Sequence, residues 1–449
     1  MENWILIAAC AIGYMAFLVL LGSGPWVQKF MPRIDDYYKS MPGLGFTLMW
    51  FGWAAAAQTA FGLPGAEGFY YSHGILFVVH GIWTLGMPLI MLYLIMTRVC
   101  AIGRRKNYIT PGDFFEDVYD SKLMRVLYSV FMLAFTVFYL LANVSGPALL
   151  LEGATGGNIP YWLGCTIIVW FTVIYVTSRG IRGCLWTDVA QGAMMLLCVW
   201  LALFYALSIT GGPQNLFNFI LEKRPALLTL PGGLRWGTYG RWLTWGFFGI
   251  TIGWALQPRM WLLAYSARSV KDMKKQIVSQ PLFHWLFLTP AMFLAFAMHY
   301  LLPDFKGSPD LGFSVMLGRH FPAILAAFII SGSAAAGMST MDIDLGACSA
   351  IFTRDIYQRF LVRDKPAEHY LTVGRIMVPV MAALGFIGAI YKWTLITMIV
   401  TIANTGMAQV LPAVLGGIFP RTFRFTKVGV VAGLVAGTIA VIWTTFIQV

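Results

Sequence analysis

Charged residues are scarce in this chain of 449 residues. Asp, Glu, Lys and Arg together make up 11% of it, whereas hydrophobic residues make up 59% and the mean hydropathy is +0.72. These values exclude a soluble domain with a single core and indicate a polytopic membrane protein. The net charge of +12 does not point to a nucleic acid partner, because the basic residues lie in short loops between apolar segments and not on one face.

Cysteines are also few, and their spacing excludes their usual special roles. The six cysteines lie mostly inside apolar segments, and none are spaced as metal ligands. We therefore expect small packing residues and neither disulfides nor a zinc site. The sequence also lacks a recognisable nucleophile arrangement and a facing pair of haem histidines, which argues against a membrane enzyme.

Long apolar runs fill most of the chain. A spanning helix needs about 20 apolar residues, and the first run lacks the basic leader and cleavage site of a signal peptide, so we expect it to be retained. The sequence thus predicts an all-α polytopic membrane protein with about 12 transmembrane helices. The predicted spans are 4–23, 44–62, 75–99, 123–150, 159–178, 183–210, 238–266, 276–301, 314–352, 372–391, 394–418 and 427–448.

The distribution of Lys and Arg predicts the orientation of these spans. Most of the basic residues fall in alternate loops, namely those that are cytoplasmic if the N-terminus is outside. Cytoplasmic loops carry an excess of Lys and Arg in membrane proteins. We therefore expect a multi-pass protein of the cell inner (plasma) membrane with both termini outside.

Two of the predicted spans are interrupted by glycine and proline. Gly52 lies midway in span 44–62 and Pro64 just beyond it, while Gly253 and Pro258 interrupt span 238–266. Each interrupted span is followed by four more, so two groups of five spans run in opposite directions. This pattern predicts a five-plus-five inverted-repeat core with discontinuous helices and a midplane binding site. The predicted units are 1–43 (peripheral first helix and cytoplasmic loop), 44–211 (first repeat), 212–237 (external loop), 238–418 (second repeat) and 419–449 (peripheral last helix).

The stretch 331–355 combines small residues with polar ones inside an apolar span. Ser339 and Thr340 are adjacent hydroxyls, and Asp342 and Asp344 follow them. Polar atoms at bilayer depth are costly unless they face a cavity, a partner or an ion, so the cluster is a candidate cation site. The alternative is that both hydroxyls bond to carbonyls of their own helix, in a run of small residues that only packs.

Three motifs together carry a resemblance to a known family. The runs RGIRGCLWTDVAQG (179–192), QPRMWLLAYSARSVKDMKK (257–275) and MSTMDIDLGACSAIFTRDIY (338–357) resemble those of the sodium/solute symporter family. That family includes bacterial proline, pantothenate, sialic acid and sugar symporters, and the resemblance covers roughly residues 44–420. It implies import of a small polar organic solute coupled to co-transported sodium, by alternating access.

The resemblance also implies a set of sodium ligands. In the family the ion lies between the first, unwound core helix and the eighth. On this sequence the eighth helix supplies the carbonyl of Ala336 and the hydroxyls of Ser339 and Thr340, while the first supplies the carbonyls of Gly52 and Ala55. Five oxygens that carry at most partial charge suit a monovalent cation, since a divalent ion would recruit more carboxylates.

Two carboxylates near this site keep two interpretations each. Asp188 either interacts with the dipole of the helix that it begins or is an additional cation ligand close to Ser339. Asp342 is three residues beyond Ser339, and it is a candidate to pair with Arg182 or to help sodium leave. Asp344 receives no role from the sequence.

The solute site is expected where the two interrupted helices meet. Arg259 is the informative residue there, because a guanidinium at membrane depth needs an anion. Either the solute is a small anion or zwitterion whose acidic group binds Arg259, or the arginine pairs with a carboxylate such as Glu67 or lies at a shallower depth. The predicted lining residues are Ala56, Ala57, Gln58, Thr59, Trp254, Gln257, Arg259 and Trp261.

Other functions remain open at this point. A proton could replace sodium, with Asp188 or Asp342 as its carrier, and sodium-independent uptake that follows external pH would support that alternative. The chain could also be a sensor built on a transport fold, or part of a larger complex. We expect the solute, sodium and the lipid bilayer as partners and no nucleic acid. A separate small subunit or an oligomer stays open, with the last span, 427–448, as the place where such a partner would pack.

Overall fold

The computed structural model describes residues 4–29, 37–38, 45–230, 240, 251–391 and 396–443. Throughout these ranges the regular secondary structure is helical, and they contain no strand. The all-α prediction is therefore confirmed. The physical reason is that apolar segments in a membrane must satisfy their backbone hydrogen bonds internally, which a helix does. The start of the seventh predicted span (238–250, apart from Gly240) and the end of the twelfth (444–448) lie outside the described residues.

The first half of the chain begins with a single long helix and continues with an interrupted one. A helical turn (Pro25–Lys29) and a π-helical segment (Phe61–Gly65) supplement the main helices of this half. These are α1 (Trp4–Ser23), α2 (Phe46–Ala60), α3 (Ala66–His73), α4 (Leu76–Lys106), α5 (Pro111–Tyr119), α6 (Lys122–Ala154), α7 (Tyr161–Thr210) and α8 (Pro213–Lys223).

The second half repeats this order, with an interrupted helix followed by long ones. Its central helix continues as a π-helical segment (Ile351–Leu361). The helices are α9 (Thr251–Ala255), α10 (Pro258–Ser266), α11 (Val270–Leu301), α12 (Pro309–His320), α13 (Ala323–Ala350), α14 (Ala367–Ile390), α15 (Ile396–Ala408), α16 (Leu411–Ile418) and α17 (Lys427–Ile442).

Seven helical stretches of the described residues are long and apolar enough to cross a membrane. One of them, α7, has 50 residues, which correspond to about 75 Å of helix at 1.5 Å per residue. Gly180, with φ 58° inside α7, changes the direction of the chain between the predicted spans 159–178 and 183–210. Interrupted helices such as α2 and α3 are too short to be counted alone, so the number of about 12 spans stays a prediction.

Both predicted interruptions are present. The first falls at the end of α2, where Thr59 has φ 58° and the π-helical segment leads on to α3. The second falls between α9 and α10, where Gln257 is the N-cap of α10 and Pro258 its first residue. Proline suits that position because it has no backbone N–H to leave unsatisfied. The predicted discontinuous helices are therefore confirmed.

The helix α13 lies at the centre of the molecule. It packs against α1, α2, α6 and α7, and from Ile329 to Ala350 every residue is buried. Its small residues permit this close packing: a Cβ added to Gly332 would lie 2.3 Å from Sγ of Cys198, and one on Gly337 would lie 2.7 Å from the carbonyl oxygen of Asn143. Small residues let neighbouring helix backbones approach in this way.

Candidate functional site

The two adjacent hydroxyls of α13 reach across to the end of α2. Oγ of Ser339 donates to the carbonyl oxygen of Ala55 at 3.1 Å, and Oγ1 of Thr340 donates to that of Ala56 at 2.9 Å. Oγ1 of Thr340 also accepts from the backbone N–H of Thr59 at 3.1 Å. All these residues are buried. The hydroxyls therefore join the central helix to the break in α2, in addition to contacting their own helix.

The carbonyl of Ala336 belongs to the same group of oxygens. It accepts from Ser339 at 3.3 Å and from Thr340 at 3.4 Å. The structure thus brings together four of the five predicted sodium ligands, Ala55, Ala336, Ser339 and Thr340, and adds the carbonyl of Ala56. Neutral oxygens of this kind are hard ligands that suit an alkali cation.

The fifth predicted ligand, Gly52, lies one turn earlier on α2 and faces a different neighbour. A Cβ placed on Gly52 would lie 2.8 Å from Cδ2 of Leu185 and 3.8 Å from Oδ2 of Asp188. Asp188 is fully buried, and its two carboxylate oxygens have no hydrogen-bond partner among the described residues. The side chain of Asp188 therefore points toward α2 as a buried group without a compensating contact in the described part of the chain.

Asp342 lies beside this carboxylate and is partly satisfied. Its Oδ2 accepts hydrogen bonds from the hydroxyl of Tyr175 at 2.8 Å and from Oγ1 of Thr187 at 3.3 Å. Oδ1 has no partner among the described residues. Asp188 and Asp342 interact electrostatically, so α7 and α13 together place two carboxylates in one buried region. Two neighbouring negative charges in such a region favour a cation or a proton between them.

The predicted solute residues of the first interrupted helix meet α11. Nε2 of Gln58 lies 3.0 Å from Nδ1 of His284 and donates to the carbonyl of Ala54 at 3.3 Å. The ring of Trp254, from α9, contacts the ring of His284 edge-on at 5.6 Å. His284 of α11 therefore contacts both a polar side chain from α2 and an aromatic ring from α9.

At the second interruption, Gln257 contacts a buried amide of α15, which a tyrosine of α6 also contacts. Oδ1 of Asn404 accepts from Nε2 of Gln257 at 3.1 Å and from the hydroxyl of Tyr139 at 2.5 Å. On the first interruption, Oδ1 of Asn143 accepts from the backbone N–H of Ala60 at 2.8 Å. At the first break a side chain thus satisfies a backbone N–H that the interruption leaves free, and at the second break a side-chain hydrogen bond connects Gln257 to α15.

Arg259 already has an anion within the protein. Its Nη1 lies 2.6 Å from Oδ2 of Asp344, and both side chains are almost completely buried. The guanidinium also lies over the ring of Tyr139, 4.8 Å from its centroid. The carboxylate partner that the sequence left open is thus Asp344 of α13, and the pair connects α10 with the central helix.

Trp261, another predicted solute residue, lies in an aromatic cluster. Its ring is 5.2 Å from that of Phe114, 5.7 Å from Phe115 and 6.4 Å from Tyr128. Tyr265, one turn further along α10, is 6.3 Å away. This aromatic cluster packs α10 against α5 and α6, away from Gln58 and its partners.

An ionic cluster surrounds the end of the π-helical segment that continues α13. Nε of Arg125 lies 2.8 Å from Oδ1 of Asp355, and its Nη1 lies 2.6 Å from Oε2 of Glu116. Glu116 also pairs with Arg359. Burial raises the pKa of Glu116, but hydrogen bonds from Arg359 and Arg125 outweigh burial and hold that pKa below its ordinary value.

Sequence reasoning missed four polar residues of these sites: Asn143, Tyr139, Asn404 and His284. The available signal was their position, since a polar side chain inside an apolar span is costly and therefore needs a partner. Their partners come from other helices, so the residues on their own helices could not identify them.

Comparison with other sequences gives a consistent family. The Sodium:solute symporter family matches residues 39–437. An osmoregulated proline transporter of Bacillus subtilis is 24% identical over 442 residues, which span 96% of this chain and 87% of that protein. A sodium/proline symporter of Escherichia coli is 24% identical over 359 residues, with 76% and 68% covered. An uncharacterized symporter of Bacillus subtilis is 24% identical over 446 residues, with 97% and 88% covered.

Solved structures show the same fold. A Na+-coupled sialic acid symporter in a substrate-bound, outward-open state matches with a TM-score of 0.75 and 17% identity over 97% of both chains. A nucleobase-cation-symport-1 family transporter matches with a TM-score of 0.55 and 14% identity, over 88% of this chain and 91% of the other. The family match covers the interrupted helices and the central helix that joins them, and the chain belongs to the sodium:solute symporter family, as a membrane protein that imports a solute together with sodium.

Proposed function

We propose that this transporter binds its sodium ion between α2 and α13. The observation that carries the proposal is that Ser339 and Thr340 contact two carbonyls of α2, those of Ala55 and Ala56, close to the break at Thr59. In the ion-bound state the hydroxyl oxygens and the carbonyls of Ala55, Ala56 and Ala336 would turn their lone pairs to the ion. In this proposal the fifth sodium ligand is the carbonyl of Ala56, in place of the carbonyl of Gly52 that the resemblance implied.

We assign a further cation-binding role to Asp188 and Asp342. Gly52 and the side chain of Asp188 face each other, and the two carboxylates share one buried region. A cation there would relieve both the desolvation of the carboxylates and their mutual repulsion.

The solute that these residues suit best is a small zwitterion. Gln58, His284 and Gln257 offer hydrogen bonds, and Trp254 offers an apolar face. Arg259 is neutralised by Asp344, so the region carries no excess positive charge that would select an anion. Curated relatives are proline transporters, which makes L-proline the first probe.

The orientation that we propose follows the positive charges. The ends of α4 and of the π-helical segment carry Arg104, Arg105 and Arg359, and we place them on the cytoplasmic side of the inner (plasma) membrane. Both termini are then outside. The exposed apolar face of α17 is the place where a second copy or a small subunit would pack.

The experiment that tests the sodium site compares cation-dependent thermal stability. The purified protein is titrated with NaCl or KCl, and its Tm is followed for wild type and for Ser339→Ala with Thr340→Ala. We expect a sodium-specific rise of Tm in the wild type, because a ligand that binds only the folded state stabilises it. The double variant should lose that rise.

Ser333→Ala is the matched control. Ser333 is a buried serine of the same helix, and its Oγ donates to the carbonyl of Ile329 within that helix. This variant should keep the sodium response. A folded double variant with an unchanged sodium response would overturn the proposed ligands, and a wild type without any response would overturn sodium binding in this fold.

A further inference from the structure

The buried pair of Arg259 and Asp344 joins two helices that have different positions in the transporter. Arg259 is the second residue of α10, the half-helix after the second interruption, and Asp344 lies on the central helix α13. The exposed fractions of the two side chains are 0% and 2%, and the atoms Nη1 and Oδ2 are 2.6 Å apart. The contact is therefore a dry ion pair and not a surface one.

The pair bears on transport because of where α10 lies. Every residue of α10, from Pro258 to Ser266, is buried. At one end Gln257 contacts the solute region, and further along Trp261 lies in the aromatic cluster with Phe114 and Phe115 of α5. In the proposed orientation α10 thus fills the space between the solute site and the cytoplasm. A path to the cytoplasm needs α10 to move away from α13.

Movement of α10 separates the two charges. A buried ion pair differs little in stability from a well-packed neutral pair, because Coulomb attraction is offset by desolvation. Removal of one partner is different, since it leaves a buried charge that water would solvate far better. An unpaired Arg259 would therefore favour conformations in which water reaches α10.

We propose that Asp344 is a positioning residue of the transport cycle. It neutralises Arg259 in place and so keeps α10 packed against α13, which closes the cytoplasmic path until water enters between the two helices. Separating the two charges costs free energy while no water has entered between α10 and α13. The transporter therefore changes between a closed state, in which the pair is intact, and an open state, in which water solvates both charges. This inference rests on the orientation and solute path proposed above.

Cys348 provides a reporter that needs no knowledge of the solute. It is fully buried on α13, one turn beyond Asp344 and on the same face of the helix. In a protein whose other five cysteines are replaced by alanine, N-ethylmaleimide should react with Cys348 only when α10 moves away. We expect Asp344→Asn to react about tenfold faster than its parent, as when an open state rises from roughly 1% to 10% of molecules.

The double variant distinguishes charge from packing. Arg259→Gln alone should also accelerate labelling, because it leaves Asp344 unpaired. The combination of Arg259→Gln with Asp344→Asn should bring the rate back toward that of the parent, whereas two independent packing defects would add. Arg259→Lys, which keeps the charge with a less suitable geometry, should lie between the parent and Asp344→Asn, and it serves if the single neutral variants do not fold.

Folding and sodium binding are checked separately by the sodium-dependent Tm, so failure of the sodium proposal and failure of this one give different results. Parent-like labelling in Asp344→Asn and Arg259→Lys, both folded as judged by their Tm without NaCl, would overturn the role of Asp344 whatever their sodium response. Additive acceleration in the double variant would do the same.

Discussion

The backbone N–H of Ala60 donates to Oδ1 of Asn143 at 2.8 Å, so a side chain of α6 compensates the break in α2. Nδ2 of the same asparagine donates to the carbonyl of Tyr139, one turn earlier on α6. One buried amide is thus a partner both for the interrupted helix and for its own helix. It keeps the end of α2 where Ser339 and Thr340 can reach the carbonyls of α2.

Asn143→Ala should therefore weaken both stability and sodium binding. The change leaves the N–H of Ala60 buried without a partner, which costs about 1–3 kcal/mol, and frees the end of α2 to move. We expect a lower Tm and a sodium midpoint that is about tenfold higher, equivalent to about 1.4 kcal/mol. Thr172→Ala is the control, because that buried hydroxyl donates to the carbonyl of Ile168, within its own helix, at 2.9 Å. An unchanged sodium midpoint in folded Asn143→Ala would contradict this role.

Asp188→Asn tests the second cation position. Neutralising one of two neighbouring buried carboxylates removes their repulsion, so the sodium-free variant should be more stable than the wild type. The same change removes a ligand charge, and the rise of Tm with sodium should become smaller. Both effects are measured in one thermal-shift series with and without NaCl. A variant that loses stability without sodium and keeps the full sodium-dependent rise would exclude cation binding at Asp188.

His284 should affect the solute and leave sodium unaffected. Its Nδ1 lies 3.0 Å from Nε2 of Gln58, so we expect His284→Ala to raise the apparent KM for L-proline in proteoliposomes several-fold, without a shift of the sodium midpoint. His299→Gln is a matched control on the same helix, since Nε2 of His299 bonds to the carbonyl of Tyr71 near the other end of α11. If L-proline is not a solute, the same comparison is made with the solute found by screening. Equal KM values for His284→Ala and wild type would remove His284 from the solute site.

Much of this architecture could be predicted because it depends on local sequence. Pro64 and Pro258 lie at the two interruptions that the structure contains, whereas Gly52 and Gly253, which the sequence had given as further breakers, lie inside α2 and α9. Ser339 and Thr340 stood out since adjacent hydroxyls in a run of small residues have few other roles at bilayer depth. Such signals need no knowledge of which helices are neighbours.

The remaining features depend on neighbours that are far away in sequence. The charge of Arg259 predicted an anion, but only the packing of α10 on α13 identifies Asp344, 85 residues later. Trp261 lies next to predicted solute residues along the chain, and the direction of α10 places it instead against Phe114 and Phe115. The role of Gly52 likewise depends on α7, which places Asp188 opposite it.

Glu116 gives the transporter a pH-dependent contact outside the membrane-spanning helices. Its pKa is held below the ordinary value of 4.5 by hydrogen bonds from Arg359 and Arg125, against the opposite effect of burial. A carboxyl with a lowered pKa in the folded state stabilises the fold above its unfolded pKa, and that stabilisation is lost as the pH falls through the lower folded value. We expect acidification below pH 4.5 to reduce the Tm of the wild type more than that of Glu116→Gln.

Asp117→Asn is the control for this pH effect. Asp117 lies on the same helix, and its contacts, with Nζ of Lys106 at 3.4 Å and with the hydroxyl of Tyr108 at 2.5 Å, involve neither Arg125 nor Arg359; the ion pair with Lys106 is largely exposed. Exposed ion pairs contribute little to stability, so the acid sensitivity of this variant should remain close to that of the wild type. Identical pH profiles of Glu116→Gln and wild type would show that the ionic cluster does not depend on this carboxylate.

Gly253→Ala tests how closely the second interruption must pack. A Cβ at this position would lie 1.9 Å from the carbonyl oxygen of Asn404, so α9 and α15 would have to separate, and the contact between Gln257 and Asn404 would be lost with them. Gly13→Ala on α1 is the control, because its Cβ would meet nothing within 4 Å. Both changes raise helix propensity by about 1 kcal/mol, so this gain cancels in the comparison. We expect Gly13→Ala to keep or raise the Tm and Gly253→Ala to lower it and to slow L-proline uptake. Equal Tm values for the two variants would mean that α15 can move away from the interruption at little cost, and Asn404 would then not hold α9 and α10 in place.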